Sequence, residues 1–428
     1  MDFKIQNSKF KIQNSKIAIT GSKSETNRLL LLQALYPNIT LENTSNSDDS
    51  KVMVKALAKD CHNELVEVHH AGTAMRFLTA YFAIQEGKEI VLTGSSRMKE
   101  RPIKILVDAI KQLGADIEYI ENDGFPPIKI KGKKITQNKI SIDANVSSQY
   151  ISALLLIAPK LENGLEITLE GEITSIPYIK MTLELLNRIG VETSFENNSI
   201  KVYHKSAIVN QQLTIESDWS SASYYYSIVA LSEIGTQITL FSFKEKSIQA
   251  DSILVEIYKN FGVETIFNDN NSITISKSKI HNSQLTTHNL NNSPDIAQTI
   301  AVTCFGLGID CHLTGLHTLK IKETDRLIAL KTELTKLGAN ISVTNDSLTL
   351  KNSSPLERCS KDGVEKNIKL LKNDIISIST YQDHRMAMSF APLALKTSLI
   401  IENAEVVSKS YPTYWEDLKS IGFNIILI

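Results

Sequence analysis

The 428-residue chain has few cysteines, and they follow no recognisable pattern. Cys61, Cys304, Cys311 and Cys359 show neither CxxC spacing nor the framework of a disulfide-rich secreted protein. Cys304 and Cys311, with His312, would be conceivable metal ligands, but the apolar run around Cys304 favours a core position. We therefore expect a reducing, cytoplasmic environment, with no metal and no cofactor.

The chain also lacks long apolar runs and any excess of charge. No run reaches the roughly 18 residues of a transmembrane helix, and the first residues are charged too often for a signal peptide. The formal net charge of −1 provides no global basic field for nucleic acid or a membrane surface. A composition of 42% hydrophobic and 22% charged residues is that of a globular protein with room for two or more cores.

A polar stretch at residues 21–28 separates two apolar runs, residues 17–19 and residues 29–35. The pattern predicts a strand, a glycine turn and a helix that Ser22 or Ser24 caps. A helix N-terminus flanked by Lys23 and Arg28 can hold a phosphate or a carboxylate. An ordinary capped helix with solvated basic residues is the alternative, and the spacing does not match a nucleotide P-loop.

A glycine recurs where an amphipathic helix turns into a pair of strands. The copies centre on Gly114, Gly190, Gly262, Gly338 and Gly422, which are 76, 72, 76 and 84 residues apart by subtraction of these positions. Each glycine has the sequence context of the position just after a helix end. The last copy stops before its second strand.

A second repeat is a helix with a polar start and an apolar body. Six such helices begin near Ser24, Thr73, Ser147, Ser220, Asp295 and His384. A helix that is apolar all round is buried, and its first N–H groups still need partners, which Ser, Thr and Asp can supply.

The two interleaved repeats predict an α/β fold built from six βαβαββ-like units. Six units exceed a single core of about 250 residues, so two domains of three units are expected. We place one domain at residues 1–20 with 217–428, and the other at residues 21–216. The first unit is expected to be truncated, and the N-terminal strand is expected to join the C-terminal half.

Polar clusters near helix starts hold the residues best suited to chemistry. Asp295 and Glu323 are the candidate acid and base. If the buried helices run in the same direction, the basic residues surround one cleft, which suits a substrate with several negative charges. Each cluster could alternatively be a solvated group beside a helix start. The seven candidate cations are Lys23, Arg28, Arg97, Lys322, Arg326, Arg385 and Lys409.

Several of these stretches occur in the same order as the signature segments of a known enzyme family. The chain resembles the enolpyruvylshikimate-phosphate synthases over nearly its whole length. The matching segments are Gly21-Ser22-Lys23-Ser24, Ala71-Gly72-Thr73-Ala74-Met75-Arg76, Arg97-Met98-Lys99-Glu100-Arg101-Pro102, Ser147-Ser148-Gln149, Lys322-Glu323-Thr324-Asp325-Arg326 and Asp383-His384-Arg385-Met386-Ala387-Met388.

The resemblance implies two inside-out α/β barrels and transfer of the enolpyruvyl group of phosphoenolpyruvate to the 5-hydroxyl of shikimate 3-phosphate, with release of phosphate. It implies Asp295 as general base, Glu323 as the acid that protonates the methylene carbon, and Lys23 as a third catalytic residue. The implied phosphoenolpyruvate ligands are Lys23, Gly72, Arg97, Gln149, Arg326, Arg385 and Lys409. The implied shikimate 3-phosphate ligands are Lys23, Ser24, Arg28, Ser147, Ser148, Gln149, Ser175, Asp295, Thr318 and Lys322.

Two positions depart from the family pattern. His70 and Thr318 each stand where the family usually or often has asparagine. A UDP-N-acetylglucosamine enolpyruvyl transferase is an alternative, although residues 94–102 lack the cysteine that is common in its mobile loop. A non-catalytic anion-binding protein on the same scaffold is another, and it would not need both Asp295 and Glu323. A monomer is expected.

Overall fold

The computed structural model describes residues 1–7, 12, 14–58, 64–144, 147–171, 173, 176–279, 286–351 and 375–428. The proposed ligand Ser175 and the cysteines Cys61 and Cys359 lie outside these residues.

The strands are short, between three and six residues each. They are β1 (Phe3–Gln6), β2 (Ser15–Ile17), β3 (Ile39–Glu42), β4 (Leu65–Glu67), β5 (Glu89–Thr93), β6 (Asp116–Tyr119), β7 (Ile128–Lys131), β8 (Lys139–Asp143), β9 (Leu165–Glu170), β10 (Thr193–Glu196), β11 (Ser199–Val202), β12 (Gln211–Thr214), β13 (Gln237–Phe241), β14 (Val263–Asn268), β15 (Ser272–Lys277), β16 (Thr286–Asn289), β17 (Cys311–Thr314), β18 (Asn340–Val343), β19 (Leu348–Lys351), β20 (Ile376–Ile378), β21 (Leu399–Ile401) and β22 (Asn424–Leu427).

The α-helices are interspersed with these strands along the chain. They are α1 (Lys23–Leu35), α2 (Asp48–Leu57), α3 (Gly72–Ala83), α4 (Ser96–Lys99), α5 (Lys104–Gln112), α6 (Ser148–Ile157), α7 (Ile176–Arg188), α8 (Trp219–Leu231), α9 (Leu254–Lys259), α10 (Ala297–Leu307), α11 (Arg326–Lys336), α12 (His384–Phe390) and α13 (Tyr414–Ser420). Short 3₁₀ helices include Ala250–Ile253, Pro294–Ile296, His317–Ile321 and Ala404–Lys409.

The chain divides into two compact units. The larger unit contains residues 1–20 and 217–428, and the smaller unit contains residues 21–216. Within the described residues, the smaller unit has the sheets β12-β3, β4-β5-β7-β6 and β10-β11-β9-β8. The larger unit has the sheets β20-β21-β1-β22, β14-β15-β13-β2 and β16-β17-β19-β18. The α/β class and the six-repeat architecture are therefore confirmed.

One complete repeat illustrates the connectivity. Strand β8 pairs in parallel with β9, and α6 is the crossover between them. The chain then forms α7 and a hairpin in which β11 pairs antiparallel with both β9 and β10. A parallel pair needs such a long crossover, whereas an antiparallel pair closes through a tight turn. The βαβαββ pattern thus follows from the alternation of the two predicted repeats.

Strands distant in sequence complete three of the sheets. Strand β3 pairs with β12, which is its only partner among the described strands. Each of the other five sheets has four described strands. Strand β2 is the parallel neighbour of β13. Strand β1 pairs antiparallel with both β21 and β22, so it occupies the place of the second hairpin strand that the last repeat lacks.

The six predicted buried helices are confirmed. In the smaller unit α1, α3 and α6 pack together, and in the larger unit α8, α10 and α12 do so. Residues on every side of α6 are buried, including Ile151, Leu154 and Leu155. Because all faces of such a helix contact protein, its apolar surface is removed from water and stabilises its unit.

Side chains cap four of the six buried helices. Ser22 caps α1, Ser147 caps α6, and Asp218 caps α8. Asp383 caps α12. The predicted caps at the other two helices are wrong: α3 begins at Gly72 without a side-chain cap among the described residues, and a 3₁₀ turn at Pro294–Ile296 precedes α10.

The predicted glycine after each helix has a left-handed conformation. Gly190 has a φ of +81°, and its N–H donates to the carbonyl of Asn187 at 2.9 Å. The next N–H, of Val191, donates to Leu186 at 3.0 Å. These two bonds form the Schellman motif that ends α7.

Replacing Gly190 with alanine is expected to lower the free energy of unfolding of the smaller unit by about 1 kcal/mol. A Cβ atom at Gly190 would meet no heavy atom within 4 Å, so backbone strain alone causes the loss. Gly190→Asn is the control, because asparagine tolerates this region better and should lose less. Far-UV circular dichroism during chemical denaturation measures both, and an alanine variant as stable as the wild type would contradict this explanation.

Among the described residues we find no helix with both the length and the hydrophobicity needed to span a bilayer.

Candidate functional site

In the smaller unit, side chains connect the starts of α1, α3 and α6. The amide of Gln149 on α6 donates to the hydroxyl of Thr73 on α3 at 3.1 Å. Arg28 on α1 donates to the hydroxyl of Ser152 on α6 at 3.0 Å. Three helix N-termini, each with a partial positive charge, are thereby held in one region of the unit.

Arg28 is almost completely buried, with 2% of its surface exposed. Its guanidinium donates to Thr182 Oγ1 and to the carbonyl of Ser24, both at 2.8 Å. Burial lowers the pKa of Arg28 to about 10, so the side chain stays charged at neutral pH. A fixed, desolvated cation of this kind can recognise an anionic group strongly.

The start of α3 lies beneath a guanidinium. A Cβ atom at Gly72 would lie 2.6 Å from Nη1 of Arg101, so the lack of a side chain lets this arginine approach the backbone. Arg76 donates to the carbonyl of Gly72 at 3.1 Å and to that of Pro102 at 3.2 Å. Two arginines thus flank a helix start that no side chain of the described residues caps.

Most of the remaining candidates of the smaller unit are more accessible, and Ser148 is the exception. Lys23 Nζ lies 3.5 Å from the Oδ2 atom of Asp49. Arg97 is exposed and pairs with Glu100 at 2.7 Å. Ser147 is exposed, Ser148 is buried, and Ser24 has intermediate exposure. His70, the first departure from the family pattern, is exposed.

In the larger unit, seven charged residues meet in what we call the charged cluster. It consists of Asp295, Lys322, Glu323, Arg326, Asp383, Arg385 and Lys409. Four cations face three carboxylates, which leaves one net positive charge for an anionic ligand. The cluster draws residues from before α10, from α11 and its preceding loop, from α12 and its cap, and from the 3₁₀ helix Ala404–Lys409.

Arg326 is the centre of this cluster. Its guanidinium contacts Asp383 at 2.6 Å, Asp295 at 2.9 Å and Glu323 at 2.9 Å. Burial lowers the pKa of Arg326, but the three carboxylates raise it more, so the pKa is above its ordinary value. The planar guanidinium offers five donors in fixed directions, which is why one arginine can orient three carboxylates.

Asp295 contacts three cations. Lys322 lies at 3.4 Å and Arg385 at 3.3 Å, in addition to Arg326. Burial raises the pKa of Asp295, but the charges of the three cations outweigh it and hold the pKa well below its usual range. Asp295 is therefore an anion at neutral pH and is available to accept a proton.

Glu323 lies between two cations. Its Oε1 atom is 2.8 Å from Lys409 Nζ, and its Oε2 atom is 2.9 Å from Nη2 of Arg326. About a sixth of the side chain, 17%, is exposed. The carboxyl group therefore has a fixed orientation and a face that a ligand can reach.

A further carboxyl group, Asp251, lies near the charged cluster on the 3₁₀ helix Ala250–Ile253. Its Oδ1 atom is buried and has no hydrogen-bond partner among the described residues. Burial is the largest cause that raises the pKa of Asp251, and Asp295 and Asp218 add to it. Arg385 and Lys322 oppose them, and the resulting pKa is about 7. Near neutral pH this group exists in both protonation states.

This raised pKa predicts how stability depends on pH. The folded state holds the proton of Asp251 more tightly than the unfolded state does. The stabilisation that comes from this proton is therefore complete below pH 3.8 and is lost as the pH rises to about 7. Asp251→Asn, which cannot titrate, should therefore gain stability relative to the wild type across this range.

The unfolding of the larger unit can be followed separately, because Trp219 and Trp415 are the only tryptophans and both belong to it. Tryptophan fluorescence during denaturation at pH 5 and pH 8 measures the effect. Asp269→Asn, at an exposed turn position, is the control and should show no such trend. An equal stability difference for Asp251→Asn at both pH values would refute the prediction.

Thr318, the second departure from the family pattern, lies in the 3₁₀ helix His317–Ile321, and its buried hydroxyl has no hydrogen-bond partner among the described residues.

Cys304 and Cys311 are buried, as the core prediction for Cys304 requires. His312 Nδ1 bonds Thr349 Oγ1 at 2.8 Å.

The sequence interpretation missed several charged residues at these places. Arg76, Arg101 and Asp383 stood within the matched segments but were not assigned a role. An acidic residue directly before the start of a buried helix was the available signal for Asp383. Asp251 had no such signal, because its surroundings come from distant parts of the chain.

Comparisons with known proteins agree with the resemblance seen in the sequence. Residues 58–418 match the family model of EPSP synthase (3-phosphoshikimate 1-carboxyvinyltransferase). A 3-phosphoshikimate 1-carboxyvinyltransferase of Bacteroides fragilis (strain YCH46) is 43% identical over 406 residues, covering 94% of each chain. That of Colwellia psychrerythraea is 35% identical over 435 residues, covering 94% of this chain and 95% of the relative.

A solved structure shares the fold. The EPSP synthase of Acinetobacter baumannii at 2.37 Å superposes with a TM-score of 0.76 and 20% identity, over 99% of both chains. The family match spans most of the chain, and the relatives cover 94% of it at well above 30% identity. The chain therefore belongs to the EPSP synthase (3-phosphoshikimate 1-carboxyvinyltransferase) family of enzymes.

Proposed function

We propose that the charged cluster and the helix starts of the smaller unit hold the substrates and carry out the proton transfers of the family reaction. As a member of this family, the chain transfers the enolpyruvyl group of phosphoenolpyruvate to the 5-hydroxyl of shikimate 3-phosphate and releases phosphate. The assignment of residues to substrates and steps is our proposal.

Phosphoenolpyruvate carries a phosphate and a carboxylate, and both suit arginine forks and helix N-termini. The larger unit would contribute Arg326, Arg385 and Lys409 from the charged cluster. The smaller unit would contribute the start of α3 and its neighbours. The proposed ligands are Lys23, Gly72, Arg97, Gln149, Arg326, Arg385 and Lys409.

Shikimate 3-phosphate presents a phosphate, a carboxylate and hydroxyl groups. The hydroxyls of Ser147 and Ser148 at the start of α6 can donate to its phosphate, and buried Arg28 can pair with an anionic group. The proposed ligands are Lys23, Ser24, Arg28, Ser147, Ser148, Gln149, Ser175, Asp295, Thr318 and Lys322; Ser175 is proposed from the resemblance alone.

Asp295 would act as the general base for the 5-hydroxyl. In the structure three cations stabilise its carboxylate, which makes it a weak base. Anionic substrates that pair with Lys322 or Arg385 would share these charges, and the proton affinity of Asp295 would rise. Substrate binding would in this way turn the carboxylate into a stronger base.

Glu323 would protonate the methylene carbon of phosphoenolpyruvate, which leaves a cationic centre at the neighbouring carbon. The 5-hydroxyl gives its proton to Asp295 and adds to that centre. In the elimination, the Glu323 carboxylate takes a proton back from the new methyl group, and phosphate leaves with the proton that Asp295 held. A substrate anion that binds Arg326 and Lys409 removes the cations that stabilise the Glu323 carboxylate and favours its protonated form. Lys23 would neutralise charge on the phosphate.

The observation that carries the proposal is that Asp295 and Glu323 both contact the guanidinium of Arg326 at 2.9 Å. The candidate base and the candidate acid are therefore held by one rigid group. This arrangement matches an addition–elimination reaction, in which two protons move at neighbouring atoms.

The test is an assay of phosphate release from phosphoenolpyruvate with each acceptor in turn. Release that depends on shikimate 3-phosphate is expected, and UDP-N-acetylglucosamine should give none. Release with the UDP sugar alone would identify the sister transferase, and binding without release would identify an anion-binding protein. The monomeric state and the cytoplasmic location stay predictions.

A further inference from the structure

A fully buried carboxylate on α11 has no role in the reaction described above. Glu333 is 0% exposed and lies two helical turns after Arg326. Its Oε1 atom accepts a hydrogen bond from the hydroxyl of Tyr381 at 2.6 Å, and its Oε2 atom accepts one from the backbone N–H of Ser379 at 3.1 Å. Lys336 also contacts Oε2, at 2.7 Å. Burying a carboxylate is unfavourable unless such partners compensate it.

The segment that Glu333 holds has an unfavourable backbone. Tyr381 and Gln382 have φ values of 54° and 57°, which side chains other than glycine rarely adopt. The N–H of Asp383 donates to the carbonyl of Thr380 at 2.9 Å and closes the turn. Two adjacent positive φ values are typical of type I′ turns, which favour Asn-Gly rather than Tyr-Gln. Strain of this kind persists only where surrounding contacts enforce it.

The strained turn leads directly into the charged cluster. Asp383 ends the turn, caps α12 through the N–H of Arg385 at 2.9 Å and pairs with Arg326. Arg385 in turn contacts Asp295. Arg326, the first residue of α11, therefore binds Asp383 at one end of the turn, and Glu333 on the same helix binds the other end.

We propose that Glu333 is a positioning residue for the carboxyvinyl transfer: it holds the strained turn at residues 380–383, so that Asp383 and Arg385 keep their places beside Arg326 and Asp295. The proposal rests on the proposed function of the charged cluster. Because Arg385 is a proposed ligand of phosphoenolpyruvate, loss of Glu333 acts on that substrate more than on shikimate 3-phosphate.

The test uses Glu333→Gln and the milder Tyr381→Phe, which removes only the hydroxyl contact. For Glu333→Gln the KM for phosphoenolpyruvate should rise about tenfold or more, as expected when a binding group is misplaced. The Kd of shikimate 3-phosphate measured without the other substrate should stay nearly constant. Tyr381→Phe should show a smaller change in the same direction. Lys336→Met is the matched control, because it removes a partner of the same carboxylate but leaves both turn contacts intact.

A second substitution that restores binding distinguishes a positioning role of Glu333 from a general loss of stability. Gln382→Gly accepts the positive φ without strain, so in the Glu333→Gln background it should restore part of the affinity for phosphoenolpyruvate. The kinetics are measured at a temperature well below the melting temperatures of the variants. If both Glu333→Gln and Tyr381→Phe then keep the wild-type KM and kcat, the proposal is wrong. If Glu333→Gln does not fold, an unchanged KM in Tyr381→Phe alone overturns it.

Amide hydrogen exchange gives a readout that is independent of activity. Exchange across residues 380–386 should accelerate about tenfold or more in Glu333→Gln, through local opening of the turn, while β21 stays protected. A wild-type chain without transfer activity would refute the proposed function. Unchanged exchange in the turn would refute the role of Glu333, whatever the activity.

Discussion

Replacing Glu323 with glutamine is expected to lower kcat about a hundredfold or more, the range that general acid–base catalysis supplies. Glutamine keeps the shape and can still accept a hydrogen bond from Arg326, but it has no proton to give to the methylene carbon. The affinity for shikimate 3-phosphate should change little, because Glu323 is not among its proposed ligands. Steady-state kinetics together with calorimetric titration of shikimate 3-phosphate measure both quantities.

The matched control is Glu264→Gln, which makes the same chemical change at an exposed position of β14 in the same unit. It should leave kcat unchanged. If Glu323→Gln also turns over at nearly the wild-type rate, the contacts with Arg326 and Lys409 are structural, and the acid must be another group, with Lys23 as the first candidate.

Replacing Arg326 with glutamine is expected to destabilise the larger unit by about 3–5 kcal/mol, the usual effect of removing one partner from a buried ion pair. The guanidinium is 2% exposed and contacts three carboxylates, of which Asp383 is completely buried. Glutamine would leave these carboxylates close together without a compensating charge. The tryptophan fluorescence of the larger unit during urea denaturation reports the change.

Arg188→Gln is the comparison for an accessible arginine pair. Arg188 contacts Glu184 at 3.1 Å, with 31% and 46% of the two side chains exposed. Because water and salt screen such a pair, its loss should cost the smaller unit less than about 1 kcal/mol. A loss of similar size in both variants would mean that burial of the Arg326 contacts contributes little to stability.

The parts of the fold that depend on local sequence could be predicted. A glycine at the end of an amphipathic helix marks a left-handed turn, and this signal identified the hairpins after Gly114, Gly190, Gly262 and Gly338. The apolar bodies of the six buried helices gave an equally local signal. Both patterns reflect contacts within about six residues, so no tertiary information was needed.

The parts that depend on distant contacts could not be predicted residue by residue. The pairing of β12 with β3 joins segments about 170 residues apart, and nothing in either strand specifies its partner. The caps of α3 and α10 were wrongly placed, because Ala71 and a 3₁₀ turn at Pro294–Ile296 occupy those starts.

The same limit applies to the candidate site. The matched segments contain most of the charged residues of the cluster, but they do not show which of these residues form ion pairs with each other. Arg326 reaches carboxylates that are 3, 31 and 57 residues away in sequence, and only the first is visible as a helical spacing. The buried environments of Asp251 and Glu333 arise from packing, so a sequence pattern does not reveal them.

The central claim is that the carboxyl group of Glu323 exchanges a proton with the methylene carbon of phosphoenolpyruvate. The most direct measurement is mass spectrometry of phosphoenolpyruvate recovered from a reaction with shikimate 3-phosphate in deuterated water, stopped before completion. The wild type should incorporate deuterium into the methylene group, and Glu323→Gln should incorporate about a hundredfold less or none in the same time. Equal incorporation by the two proteins would contradict the account.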